Sequence, residues 1–196
     1  MKRLTFILVA LVTAATTGFG QTKYSADLSA TQLKWKGTKV LGEHVGTIQL
    51  KDGWINWKRN SITSGSFEID MSSLKDVDQN DEKMRSMLEN HLKSDDFFGV
   101  EKFPVSTLEI TTPTAFRNGK AYITANLTIK GVTQPVSFNA TVSDNGNELV
   151  FVAPITVDRT KYGLKYGSGK FFPSIGDKAI NDEFTLDVTL VVKKQD

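Results

Sequence analysis

The sequence gives little support for nucleophilic catalysis, and its many carboxylates show no identifiable catalytic pair. The sequence contains no cysteine and two histidines, His44 and His91. A serine nucleophile needs a histidine beside it in space, and the Gly-x-Ser-x-Gly motif of many hydrolases does not occur. We therefore predict no catalytic residues, and we expect both histidines to pack or to form hydrogen bonds.

The same residue types limit metal binding. Two histidines without cysteine cannot form a closed zinc site unless carboxylates contribute. The segment 76–80 (DVDQN) matches the start of a calcium-binding loop, but Asp81 replaces the required glycine and Met87 replaces the required glutamate. We predict a solvated acidic loop here and no metal site.

The amino-terminal residues have the composition of a secretory signal peptide. Residues 1–3 (MKR) are positively charged, an apolar stretch follows, and residues 18–20 (GFG) offer a small-x-small cleavage site. The apolar stretch is shorter than the roughly 18 residues of a membrane-spanning helix. We predict a signal peptide over residues 1–20, a single domain over residues 21–196, and export, to the periplasm in the first instance and otherwise by secretion.

The balance of charge argues against a nucleic-acid partner. The chain has 24 Lys and Arg against 22 Asp and Glu, and cleavage of the signal would remove Lys2 and Arg3. The mature chain would then be neutral, whereas nucleic-acid binding needs a basic surface. Without cysteine no disulfide can form, so the fold must be stabilised by burial.

Alternating apolar and polar residues predict a mostly β protein. Residues 121–129 (AYITANLTI) show the pattern best, with Ile123, Ala125, Leu127 and Ile129 on one face. Small inward residues such as Ala125 leave room for a ligand, unless neighbouring strands fill the gap. Turn signals separate the strand-like runs at residues 51–53 (KDG), 117–119 (RNG), 130–131 (KG) and 144–146 (DNG). Eight or nine strands at this spacing indicate a sandwich or an up-and-down barrel.

One amphipathic helix interrupts this pattern between Asn80 and Leu92. Asn80 is a plausible N-cap, and the apolar side chains fall on one helical face. The members of that face are Met84, Met87, Leu88, His91 and Leu92. Such a helix could cover the mouth of a barrel or pack on the outside of a sheet.

Two aromatic pairs, Phe97-Phe98 and Phe171-Phe172, lie in loops. Adjacent residues on a strand point to opposite faces, so both members of a pair cannot simply be core. They could line the entrance to an apolar pocket or anchor their loops.

Three segments resemble the YceI-like family of exported lipid-binding proteins. They are residues 68–74 (EIDMSSL), 90–98 (NHLKSDDFF) and 125–136 (ANLTIKGVTQPV), and Pro104 and Tyr162-Gly163 also fit. The resemblance covers about residues 23–192. It implies an all-β fold, an antiparallel, lipocalin-like barrel of eight or slightly more strands, with the helix near its mouth. It also implies a bound polyisoprenoid, such as an isoprenoid quinone or another lipid-like molecule, and no catalysis.

On this resemblance, inward side chains would line a lumen and polar groups would lie at its mouth. The expected lumen residues are Phe67, Ile69, Ile123, Ala125, Leu127, Ile129, Phe138, Phe151 and Leu186. The expected mouth residues are His91, Ser94, Phe97, Phe98, Phe171 and Phe172.

The leading hypothesis is a protein that carries or stores a lipid-like ligand in the barrel. One alternative is a barrel enzyme acting on an apolar substrate, although Glu68 and Asp70 alternate away from the apolar face. The other alternative is a β-sandwich with a filled core that mediates protein contacts.

Overall fold

A computed structural model describes residues 20–195. The predicted signal peptide therefore lies, apart from Gly20, outside the described residues. Within these residues the fold consists of ten strands and one α-helix. Their bounds are β1 Thr22–Ala26, β2 Gln32–Lys39, β3 Gly42–Lys58, β4 Ser61–Asp76, α1 Glu82–Lys93, β5 Val105–Ile110, β6 Thr114–Ala115, β7 Lys120–Ile129, β8 Val132–Asp144, β9 Glu148–Asp158 and β10 Ile180–Lys194.

Eight antiparallel strands close into a barrel. The order around it is β2, β3, β4, β5, β7, β8, β9 and β10, and β10 pairs with β2 to complete the circle. The short β1 pairs with both β3 and β10, and β6 pairs with β4. The predicted eight-stranded barrel is confirmed, and closure excludes the open sandwich.

The turn predicted at residues 51–53 is wrong, because β3 runs straight through it. The register between β3 and β4 shifts between Leu50 and Asp52, which marks a β-bulge. Gly53 is needed there for close packing: a Cβ at this position would lie 2.5 Å from the ring of Phe67. The chain instead reverses at Arg59 and Asn60, both with positive φ.

One end of the barrel is filled by aromatic side chains. Trp57, Phe116 and Phe151 form a cluster with ring centroids 5.6–5.8 Å apart. At the opposite end, α1 and the long connection between β9 and β10 surround an opening. That connection contains two 3-10 segments, Arg159–Tyr162 and Pro173–Lys178.

Helix α1 is rotated relative to the sequence prediction. Its N-cap is Asp81, whose carboxylate accepts from the Met84 N–H, and not Asn80. Met84 and Met87 are exposed, whereas Glu89 is buried. Only Leu88, His91 and Leu92 of the predicted face reach the barrel opening.

Candidate functional site: an apolar cavity in the barrel

The open half of the barrel encloses a cavity of about 580 Å³. Ligand-binding pockets usually measure about 300–1,000 Å³. Its wall is built from inward-facing apolar residues of seven barrel strands. They include Ile48, Ile69, Met71, Leu74, Leu108, Leu127, Ile129, Ile155, Val157 and Leu186.

Ser106 is the polar exception deep in this wall. It is buried on β5, opposite Ile69 of β4, and its small side chain leaves space within the cavity. The wall is otherwise suited to a ligand with a long apolar part.

Apart from Ser106, the polar residues of the cavity lie at its rim. They come from β2, β3, α1, the connection between β9 and β10, and the first residues of β10. The set includes Thr38, Lys39, His44, His91, Arg159, Asp177, Lys178, Asn181 and Glu183. A ligand that enters headgroup last would find its polar end among them.

Arg159 holds the backbone at the rim in place through hydrogen bonds. Its guanidinium donates to the carbonyl oxygens of Leu164, Tyr166, Ile180 and Asn181 at 2.7–2.9 Å. Its side chain is only 4% exposed, and burial lowers its pKa. These bonds fix both ends of the β9–β10 connection against the barrel.

Aromatic rings cover one side of the opening. The ring of His91 meets the rings of Phe97 and Tyr166 edge-on, with centroids 5.1 and 4.5 Å away. Phe98 packs edge-on against Phe184, at 6.3 Å. The helix and the segment after it thus form an aromatic wall above the strands.

A second, wholly apolar cavity of about 90 Å³ lies deeper in the barrel. Its wall includes Phe67, Ile123, Phe138 and Phe151. Ile69, Leu108, Ile155 and Leu186 line both cavities. These four residues, the constriction, separate the two spaces.

The predicted lumen residues divide between the two cavities. The larger cavity is lined by Leu127 and Ile129. The smaller cavity is lined by Phe67, Ile123, Phe138 and Phe151. Both cavities are lined by Ile69 and Leu186. Ala125 faces inward and is 1% exposed, yet it borders neither cavity. The expectation that Ala125 opens the lumen is therefore wrong; it pairs with Val136 of β8 in a packed layer.

The predicted mouth residues are only partly at the mouth. His91, Phe97 and Phe98 line the cavity. Ser94 does not, because its hydroxyl donates to the His91 carbonyl and closes the helix. Phe171 and Phe172 are exposed outside the cavity, where Lys165 Nζ lies 4.9 Å from the Phe171 ring centroid.

Sequence reasoning missed Arg159, Tyr166 and the residues of the second 3-10 segment. They lie in an irregular connection with neither the period of a strand nor that of a helix, so no pattern marks them. Glu68 and Asp70, considered for an enzyme, lie outside the cavity: Glu68 pairs with Lys51 at 2.9 Å, and Asp70 accepts from Ser72.

A family model for the YceI-like domain matches residues 24–192. The chain belongs to the YceI-like family. A UPF0312 protein of Shewanella denitrificans is 30% identical over 131 residues, which are 64% of this chain and 66% of that relative. The matched part is thus just under two thirds of the relative's length. A UPF0312 protein of Pseudomonas putida is 25% identical over 156 residues, 76% of this chain and 73% of its own.

Solved structures of YceI-like barrels share the fold. BcnA of Burkholderia cenocepacia superposes with a TM-score of 0.65 at 21% identity, covering 85% of this chain and 98% of its own. A polyisoprenoid binding domain from Saccharophagus degradans superposes with a TM-score of 0.62 at 14% identity. The superposition covers 88% of this chain and 98% of that domain. Within residues 20–195, no helix is both long and apolar enough to cross a membrane.

Proposed function

We propose that this YceI-like chain binds one elongated, mostly apolar molecule of the isoprenoid or lipid class and holds it for carriage or storage. The observation that carries this proposal is the cavity of about 580 Å³, whose wall is apolar except for Ser106 and whose other polar residues lie at its rim. The structural neighbour from Saccharophagus degradans, described as a polyisoprenoid binding domain, supports the ligand class.

Burial of an apolar tail supplies the affinity. Each Å² of apolar surface removed from water contributes about 25 cal/mol, and the wall offers few polar atoms that would have to be desolvated. Orientation would come from the rim, where Lys39, Lys178 and Asn181 can meet a polar headgroup.

Binding without catalysis fits the arrangement of Arg159 at the rim of the cavity. Its guanidinium donates to backbone carbonyl oxygens, so it holds the backbone in place and is not free to exchange a proton at neutral pH. The signal peptide expected at residues 1–20 would place this activity outside the cytoplasm, in the periplasm or the medium.

Mass spectrometry of an organic extract of the purified protein tests the proposal. We expect an isoprenoid quinone or another long-chain lipid at close to one molecule per chain. An extract without any apolar molecule, together with failure of added long-chain isoprenoid quinone to bind, would contradict it.

A further inference from the structure

Three potential metal ligands converge at the rim, on the ribbon formed by β3 and β4. His44 lies near the start of β3, Asp76 is the last residue of β4, and Asp78 follows two positions later. His44 Nδ1 lies 3.1 Å from Asp78 Oδ2 and 3.9 Å from Asp76 Oδ2. All three ligand atoms lie within 4.8 Å of one another.

Each carboxylate is held in place by its other oxygen. Asp76 Oδ1 accepts from the Gln79 N–H at 2.8 Å, and Asp78 Oδ1 accepts from the Val45 N–H at 2.9 Å. Both Oδ2 atoms are therefore turned toward the His44 ring. Metal-binding carboxylates are commonly oriented by such hydrogen bonds.

One carboxylate oxygen of Asp76 is buried without a hydrogen-bond donor, and a bound cation would satisfy it. Its side chain is 0% exposed, and its Oδ2 has no hydrogen-bond partner. A buried oxygen without a donor is costly, so its retention here points to a bound positive charge.

We propose that His44, Asp76 and Asp78 bind a divalent transition-metal ion, with Zn²⁺ as the best match. One imidazole nitrogen and two carboxylate oxygens form a ligand set that zinc accepts. At metal–ligand distances of about 2.0–2.2 Å the three atoms would need to lie roughly 3–3.5 Å apart. The present spacing requires only small side-chain movements.

The site would be anchored by α1 and open toward the cavity. Glu89 of α1 accepts from the Asp76 backbone N–H at 3.1 Å and so fixes the end of β4. His44 itself lines the large cavity. Three protein ligands leave a coordination position for water or another donor, and the neighbouring rim is where such a donor would lie. The inference does not depend on the identity of the apolar ligand.

Titration of the chelator-treated, full-length protein with Zn²⁺ tests the inference. Isothermal calorimetry should show one site, and Zn²⁺ should raise the melting temperature. Asp76→Asn and His44→Gln should each weaken Zn²⁺ binding by at least about tenfold. Removal of a group that only orients a metal ligand already costs about tenfold in affinity, and removal of a ligand itself should cost no less.

The second histidine provides the matched control. His91 Nε2 lies 3.7 Å from Asp96, and within residues 20–195 it belongs to no group of three such ligands. His91→Gln should leave Zn²⁺ binding unchanged.

Asp76→Asn also separates a metal site from a structural ion pair. Asparagine keeps the Oδ1 acceptor for Gln79 and removes the buried charge, so the metal-free variant should melt no lower than the metal-free native protein. Absence of Zn²⁺ binding by the native chain would overturn the proposal, and so would Zn²⁺ binding by Asp76→Asn and His44→Gln as tight as that of the native chain.

Discussion

Arg159 shows how one side chain holds the rim of the cavity. It bridges the end of β9, the loop at Leu164 and Tyr166, and the start of β10 through its bonds to backbone carbonyls. The Phe97 ring lies 5.9 Å from its guanidinium carbon. A lysine cannot reproduce this planar set of donors.

Arg159→Lys should therefore destabilise the protein and loosen the rim. We expect the free energy of unfolding to fall by about 2–4 kcal/mol, because buried carbonyls lose charged hydrogen-bond donors. Urea denaturation measures this, with the exposed substitution Arg117→Lys as control. Equal stability of the two variants would show that the Arg159 bonds contribute nothing beyond a surface arginine.

Helix α1 shows what sequence periodicity can and cannot predict about an element. The amphipathic pattern predicted the helix but not its rotation, because Glu89 faces inward and Met87 outward. Glu89 accepts from the Asp76 N–H and from Lys75 Nζ. Burial alone would raise the pKa of Glu89, but these donors outweigh it and lower the pKa. Such a partner, 13 residues away in sequence, leaves no periodic signal.

The constriction between the two cavities is formed jointly by β4, β5, β9 and β10. In the proposed function, it would limit how far an apolar tail can reach toward the aromatic cluster at the closed end. Leu108, like the other three residues of the constriction, lines both cavities, so truncation of its side chain should widen the connection between them.

Leu108→Ala should shift the bound molecules toward longer tails. We expect a loss of about 2–4 kcal/mol in the free energy of unfolding, typical of leucine truncation next to a cavity, with the barrel still folded. Mass spectrometry of competing isoprenoid quinones of different length measures the shift. The control Leu28→Ala, at an exposed position, should bind quinones of the same tail lengths as the native protein. If Leu108→Ala also binds the native distribution of tail lengths, the constriction does not limit the length of the bound tail.

For the whole molecule, alternation and turn signals were sufficient to predict a β protein, and the family resemblance specified the barrel. Hairpins at Asn118-Gly119 and Lys130-Gly131 form where expected, with positive φ at all four residues. The position of the open space was not predictable from one strand. Ala125 is small but borders neither cavity, whereas Ser106 lines the large one and Leu108 lines both. Which residues border open space depends on side chains from strands distant in sequence.

The two ends of the barrel differ, since one is closed and the other is open. Aromatic rings fill one end, and the other presents the helix, the polar rim and the β9–β10 connection. In the proposed function, a ligand would enter at the open end, tail first.

The most direct test of a ligand inside the barrel compares the same substitution on its two surfaces. Ser106→Phe places a ring inside the large cavity, whereas Ser137→Phe places it on the exposed face of β8. The protein is incubated with a long-chain isoprenoid quinone, re-purified, and its bound quinone is measured per folded chain. We predict that Ser106→Phe folds but retains little quinone, because the ring occupies the space of the tail, while Ser137→Phe retains the native amount. Native quinone content in a folded Ser106→Phe would contradict the account.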